Sequence, residues 1–197
     1  MKVVLYLEGG GEGKDQQARC REGFRKILEK SGFSGRMPRL VAGGGRDTTF
    51  KEFKSALRDS GKVAFLLVDS EAPVTQSPWA HLQARDGWVR PADVTDDQAQ
   101  LMVACMETWI MADHTALRAF FGQELNEKAL LSPNGLEQRL CHEVQDALAQ
   151  ATRTCERDRQ YQKGKRSFQV LATLNPATLR QHLSYFQRLV ETLDRYL

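Results

Sequence analysis

Three carboxylates stand where two apolar runs end. Val3-Val4-Leu5-Tyr6-Leu7 runs into Glu8, and Val63-Ala64-Phe65-Leu66-Leu67-Val68 runs into Asp69-Ser70-Glu71. If the two runs are neighbouring strands, Glu8, Asp69 and Glu71 converge on one edge. Crowded carboxylates repel one another, and a hard divalent cation with oxygen ligands is the usual remedy. Asp69 and Glu71 are one residue apart, so on an extended strand end both face one side while Ser70 faces the other. Gly9, Gly10, Gly11 and Gly13 follow Glu8, and glycines let backbone and phosphate approach closely. By itself Asp69-Ser70-Glu71 reads as a solvated strand end or a helix cap. Joined to Glu8, the set reads as a site for Mg2+ or Mn2+ facing a phosphate.

The same glycine turn is not a nucleotide-binding P-loop. That pattern needs Gly at position 8 and Ser or Thr at position 15. The chain has Glu8 and Asp15 there, and Glu8 would meet the phosphate with the wrong charge. The dinucleotide pattern G-x-G-x-x-G is also missing after the first strand. A basic segment offers a second chemistry. Arg153, Arg157, Arg159, Lys163, Lys165 and Arg166 outnumber Glu156 and Asp158 around Tyr161 and Gly164. Such a segment is either a solvated helix end and loop or a contact for phosphate. Cys20, Cys105, Cys141 and Cys155 are scattered without a C-x-x-C pair, and the four histidines show no ligand spacing. The cysteines therefore read as reduced thiols rather than a zinc ribbon or a redox motif.

The elements that must position these groups alternate. Continuous apolar runs bounded by turn residues read as strands covered on both faces, the parallel-sheet pattern. Between them, Cys20, Phe24, Ile27 and Leu28 recur at helical spacing within Lys14 to Phe33. Leu40-Val41-Ala42 reads as a short strand before Gly43-Gly44-Gly45. Asp47 or Thr48 then caps a helix with Phe50, Phe53, Ala56 and Leu57 inside. This is β-α-β-α-β over about seventy residues, with right-handed crossovers. Residues 72–95 break the rhythm with Pro73, Pro78, Pro91, Trp79 and Trp88. They read as an insertion, its tryptophans either packed on the rim or serving as a lid. Gln100 to Cys105 reads as a fourth strand leading to Glu107, and Asp113 caps the helix that follows. Helices occupy about 136–152 and Pro176 to the end, with a turn at Phe168 to Leu174.

Composition bounds the reading. The hydrophobic fraction of 41% supports an ordinary core. With 28 basic and 25 acidic residues the net charge is +3, too mild to argue for nucleic acid by itself. No apolar stretch approaches the ~18 residues of a membrane span, and the start lacks a cleavable signal pattern, so a cytoplasmic location is expected. The fold class is α/β, with a four-stranded, mainly parallel sheet flanked by helices. Residues 1–113 form the core and 114–197 a helical part packed on it.

The acidic pattern resembles the Toprim fold of topoisomerases, bacterial primases and nucleases of the overcoming-lysogenization-defect type. There, a glutamate closes the first strand and an Asp-x-Asp/Glu pair closes a later one. Within that fold the chain is similar to a small family of bacterial Toprim-like proteins of unknown function. The motifs are Leu7-Glu8-Gly-Gly-Gly-Glu-Gly13, Leu67-Val68-Asp69-Ser-Glu71-Ala-Pro73, Met106-Glu107-Thr-Trp-Ile-Met-Ala-Asp113 and Tyr161-Gln-Lys163-Gly164. Glu71 departs from the aspartate that many Toprim proteins carry. The resemblance implies metal-dependent cleavage of DNA or RNA, with Glu8, Asp69 and Glu71 as metal ligands. Glu8 is also the candidate base, and Glu107 matches a further acidic position. It tips the basic segment toward phosphate contact, with Lys163 as a catalytic lysine and Lys165 and Arg166 on the nucleic-acid backbone. It also implies an ATPase partner, ATP-binding-cassette-like or AAA-type, in antiphage defence. Two alternatives stay open: a non-catalytic subunit that binds nucleic acid or an ATPase, and a phosphohydrolase for small esters.

Overall fold

The computed structural model describes residues 2–164 and 166–197. Among them, four strands form one parallel sheet in the order β2-β1-β3-β4: β1 (Lys2–Gly10), β2 (Arg39–Gly44), β3 (Lys62–Asp69) and β4 (Ala99–Met102). The α/β class, the parallel pairing and the helical C-terminal part agree with the sequence reading. Chain direction matters more than the count. From β1 the chain leaves toward β2 on one side, and from β3 it leaves toward β4 on the other. The crevice between the carboxyl ends of β1 and β3 is therefore the topological switch point, where open parallel sheets bind their ligands.

Both faces of the sheet are covered, which explains the uninterrupted apolar runs. Val3, Leu5, Leu7, Phe65 and Leu67 pack on one face with α1 (Lys14–Leu28). Ala64, Leu66 and Val68 pack on the other with α2 (Arg46–Ala56). Along β1 and β3 this alternation sends Asp69 to the α1 face and Glu8 to the α2 face, so the two carboxylates meet at the sheet edge from opposite sides. The helices after β4 join the α1 face. They are α4 (Met106–Ala112), α5 (His114–Phe121), α6 (Cys141–Thr152), α7 (Ser167–Leu171), α8 (Pro176–His182) and α9 (Ser184–Tyr196). Trp109, Leu148, Phe168, Leu179 and Phe186 share one core with β1 and β3.

Four expectations change. The N-cap of α2 is Gly45, which leaves Asp47 in the first turn rather than at the cap. The fourth strand stops at Met102, before Cys105. The C-terminal helix is two helices. The buried Glu137 carboxylate accepts hydrogen bonds from the backbone N–H groups of Ser184 and Tyr185 and from the Ser184 hydroxyl, so it caps α9 from outside and breaks the chain at Leu183. The insertion contains a helix, α3 (Pro78–Asp86), opened by Pro78 in its first turn and closed at Gly87.

Its tryptophans are core rather than lid. Trp88 stacks on Phe50 with ring centroids 4.1 Å apart, and Trp79 lies 6.0 Å from Phe53. The Trp79 indole N–H donates to the Thr95 carbonyl at 3.0 Å. Trp79→Ala should therefore lower unfolding stability by about 3–5 kcal/mol, the usual loss for a large buried aromatic. Urea denaturation measures it, and an unchanged midpoint would return Trp79 to the surface.

Candidate metal centre

The sheet builds the acidic edge directly. β1 and β3 run in register from Lys2↔Lys62 to Leu7↔Leu67, which brings Glu8 to the strand end one residue before the level of Asp69. The Asp69 backbone N–H donates to Glu8 Oε2 at 3.1 Å, tying the two strand ends together. One carboxylate oxygen of each of Glu8, Asp69 and Glu71 lies within 4.8 Å of the other two. Strand alternation does not place Glu71, because β3 ends at Asp69. Glu71 sits in the left-handed region at φ 63°, and its N–H donates to the Ala104 carbonyl at 2.6 Å. That conformation costs about 1–2 kcal/mol for a residue with a side chain. The strain turns the carboxylate back toward its neighbours.

Each acid is held differently. Asp69 is buried, and its Oδ1 accepts the Met106 N–H at 2.9 Å, at the start of α4. Burial, then the charges of Glu8 and Glu107, push its carboxyl well above the usual range. Burial also raises Glu8, against the opposing pull of Arg46. Arg46, at the first position of α2, donates to Glu8 Oε2 at 2.9 Å and to the Asp69 carbonyl at 2.5 Å, and forks onto Asp86 at 2.9 and 2.6 Å. Its guanidinium also lies 5.0 Å over the Trp88 ring. Among the described residues, Glu8 Oε1 carries no hydrogen bond. Glu71 has only a distant partner, Arg85 at 4.0 Å. The acids are thus neither all paired with cations nor closed in.

Glu8 and Asp69, but not Glu71, open onto a cavity of about 480 Å³, which Glu107, Lys163 and the loop Gly9–Gly13 also line. The loop needs its glycines. Gly10 has φ 87°, and a Cβ there would stand 2.7 Å from the Gln17 backbone. This close approach brings the loop onto the first turn of α1, whose N–H groups lack helical partners. Lys163 is solvent-accessible at the opposite wall. Burial lowers its amine, but the charges of Glu107 and Asp69 outweigh that and hold it above its ordinary value. Among the described residues, no ion pair or hydrogen bond occupies the Lys163 ammonium. This set fits a hard cation. Octahedral Mg2+ with bonds of about 2.1 Å needs oxygens about 3–4 Å apart, and the crowded acids need positive charge.

Other expected groups are placed differently. Glu107 is fully buried on the cavity wall, but the Tyr161 hydroxyl donates to its Oε1 at 2.8 Å and Gln145 to its Oε2 at 3.5 Å. Arg166 does not line the cavity; its guanidinium donates to the Asp158 carbonyl and to Gln169. Lys165 lies outside the described residues. Sequence reasoning missed Arg46, although a basic residue just past the glycine end of β2 is on the carboxyl edge. It also missed the meeting of Cys105 and Cys141, which lie 36 residues apart; a thiol contact of the first reaches the carbonyl of the second.

A parallel α/β domain with an acidic switch point beside a glycine-rich loop is the class that this fold defines. Residues 7–194 match the family described as Domain of unknown function (DUF4276), and the chain belongs to that family. No curated protein and no solved structure matches it. Among the described residues, no helix is long and apolar enough to cross a membrane.

The raised carboxyls make the site pH-sensitive. Asp69 binds its proton more tightly folded than unfolded, so its contribution to stability is full below the unfolded carboxylate range and is lost as pH rises through the folded value. Asp69→Asn keeps the oxygen that accepts the Met106 N–H and removes the charge. In metal-free buffer it should be more stable than wild type at neutral pH, with the advantage vanishing on acidification. Paired denaturation curves across pH measure this; a variant less stable at every pH would contradict it. Mg2+ or Mn2+ must displace these protons, so affinity in titration calorimetry should rise with pH.

Proposed function

We propose that the protein is a divalent-metal-dependent nuclease that hydrolyses phosphodiester bonds of DNA or RNA. The observation that carries this reading is the convergence of Glu8, Asp69 and Glu71 oxygens within 4.8 Å at the switch point. The Toprim resemblance supports it, because the same three positions carry the motif. Asp69 and Glu71 are the principal ligands, with Glu8 beside them. A bound cation supplies neutralisation of the charge that grows on the phosphate oxygens.

The chain's own groups divide the remaining work. The glycine loop and the first N–H groups of α1 bind a phosphate oxygen. The Lys163 ammonium approaches from the other wall and stabilises charge in the transition state. Glu8 Oε2 is fixed by Arg46 and the Asp69 N–H, which leaves Oε1 to orient the attacking water. A carboxyl raised by burial is better matched to accept a proton near neutral pH than an ordinary one. Glu107 acts through position: held by Tyr161 and Gln145, it keeps Lys163 charged and turned toward the cavity. Contacts of Lys165 and Arg166 with the nucleic-acid backbone rest on the resemblance alone, since the Arg166 guanidinium is turned to the Asp158 carbonyl and Gln169. An ATPase partner, ATP-binding-cassette-like or AAA-type, and a role in antiphage defence rest on the resemblance alone.

The cavity volume also favours a second reading, hydrolysis of a small phosphate ester, since about 480 Å³ is enough to hold one. One set of assays separates the two. Wild type with Mn2+ or Mg2+ should cleave plasmid DNA, single-stranded DNA or RNA. Glu8→Gln, Asp69→Asn and Lys163→Ala should each reduce the rate by about 10²-fold or more. Lys163→Ala should also lessen the salt dependence of nucleic-acid binding by about one unit of slope. Cleavage of p-nitrophenyl phosphate but of no nucleic acid would move the protein to the second reading. Failure of wild type to bind either metal in calorimetry would remove both.

A further inference from the structure

The fold assembles a second ligand set that the acidic edge does not use. Cys105 precedes α4 and Cys141 opens α6, and Glu107 lies in the first turn of α4. One ligand atom of each, two thiol sulfurs and a carboxylate oxygen, lies within 4.8 Å of the other two. Glu107 is fully buried and, among the described residues, forms no ion pair within 4.0 Å. A buried carboxylate without a paired cation is costly. Cys105 is buried and Cys141 is half-buried, so the cluster is enclosed but still reachable from solvent. Cys141 stands at the N-terminus of a twelve-residue helix, where the dipole favours the thiolate.

We propose that Cys105, Cys141 and Glu107 form a second metal site, selective for a thiophilic divalent cation such as Zn2+. The ligand chemistry separates it from the all-carboxylate edge. Thiolates select Zn2+ and disfavour Mg2+. Three protein ligands leave one tetrahedral position open for water or another donor. The surroundings supply what such sites require. The Tyr161 hydroxyl donates to Glu107 Oε1 at 2.8 Å, and Gln145 lies 3.5 Å from Oε2, so the carboxylate is oriented by partners outside the ligand set. Glu107 also lines the acidic cavity. The two sites therefore share one wall, and a cation on the thiols draws on the same carboxylate that faces Lys163. This inference shares only Glu107 with the phosphodiester reading, where that residue positions Lys163, and its test needs no activity, so the two can fail separately.

The test uses the whole reduced protein with Co2+ as a spectroscopic probe and Zn2+ as competitor. Wild type should develop a thiolate-to-cobalt charge-transfer band in the near ultraviolet that Zn2+ abolishes. Cys141→Ser should lose the band, whereas Asp69→Asn should keep it. Tyr161→Phe should weaken Zn2+ binding about tenfold against a chromophoric chelator, the loss typical of removing an orienting partner. Circular dichroism and thermal melting report whether each variant folds. A second measurement needs no variant: Zn2+ should protect Cys141, the half-buried thiol of the set, from alkylation, read by peptide mass spectrometry. Cobalt binding without the band, a band unchanged in Cys141→Ser or lost in Asp69→Asn, or no protection of Cys141 would overturn the proposal. So would a Cys105–Cys141 disulfide that forms in air with Zn2+ present.

Discussion

Like-charge crowding at the carboxyl edge of the sheet is the constraint on which the rest of the structure depends. Glu8 and Asp69 leave neighbouring parallel strands side by side, and Glu71 turns back toward them. Left alone in a half-buried edge, these groups would repel one another and shed charge by binding protons. The fold answers on one side only. Arg46 and the Asp69 N–H hold one oxygen of Glu8, and the Met106 N–H holds one oxygen of Asp69. Glu8 and Asp69 also line the cavity, with Lys163 as a nearby positive charge.

The two faces of the sheet contribute differently to this arrangement. The α2 face provides Arg46 and, behind it, the aromatic group of Phe50, Phe53, Trp79 and Trp88. Asp86 of the insertion completes the fork on Arg46. The insertion thus packs the core and also aims a cation at Glu8. The α1 face provides most of the cavity wall: the glycine loop, Gln16 at the start of α1, and the segment of Lys163 and Gly164. That segment lies far along the chain, yet α7 packs on α1, and Phe168 sits beneath Gly9. The helical part is therefore structural for the site.

Membership of the DUF4276 family leaves chemistry to be argued from the residues, since the family description assigns none. The strain at Glu71 is informative here. A residue with a side chain at positive φ is seldom kept without a reason, and such residues cluster at functional sites. The same holds for a raised buried carboxyl beside a second one. Lys163, without a hydrogen bond or ion pair among the described residues but within the field of Glu107 and Asp69, is a third such feature, on the cavity that Glu8 and Asp69 line.

The sequence by itself determined the α/β class, the parallel strands, the positions of the first helices, the Asp113 cap and the places of Glu8 and Asp69 at the strand ends. Apolar runs and glycine turns are local signals, and a carboxylate at a strand end has nowhere else to go. The tertiary structure alone decided which groups meet those acids. Arg46 reaches Glu8 because β2 and β1 are adjacent, and nothing local marks that pairing. Cys105 and Cys141 come together through helix packing, which linear spacing does not encode. The break at Leu183 follows from Glu137, a cap supplied from a distant turn. Even the turning of Glu71 toward its partners arises from a left-handed residue rather than from strand alternation. Short-range preferences are set by neighbours in sequence, whereas charge pairing and thiol contacts are set by neighbours in space.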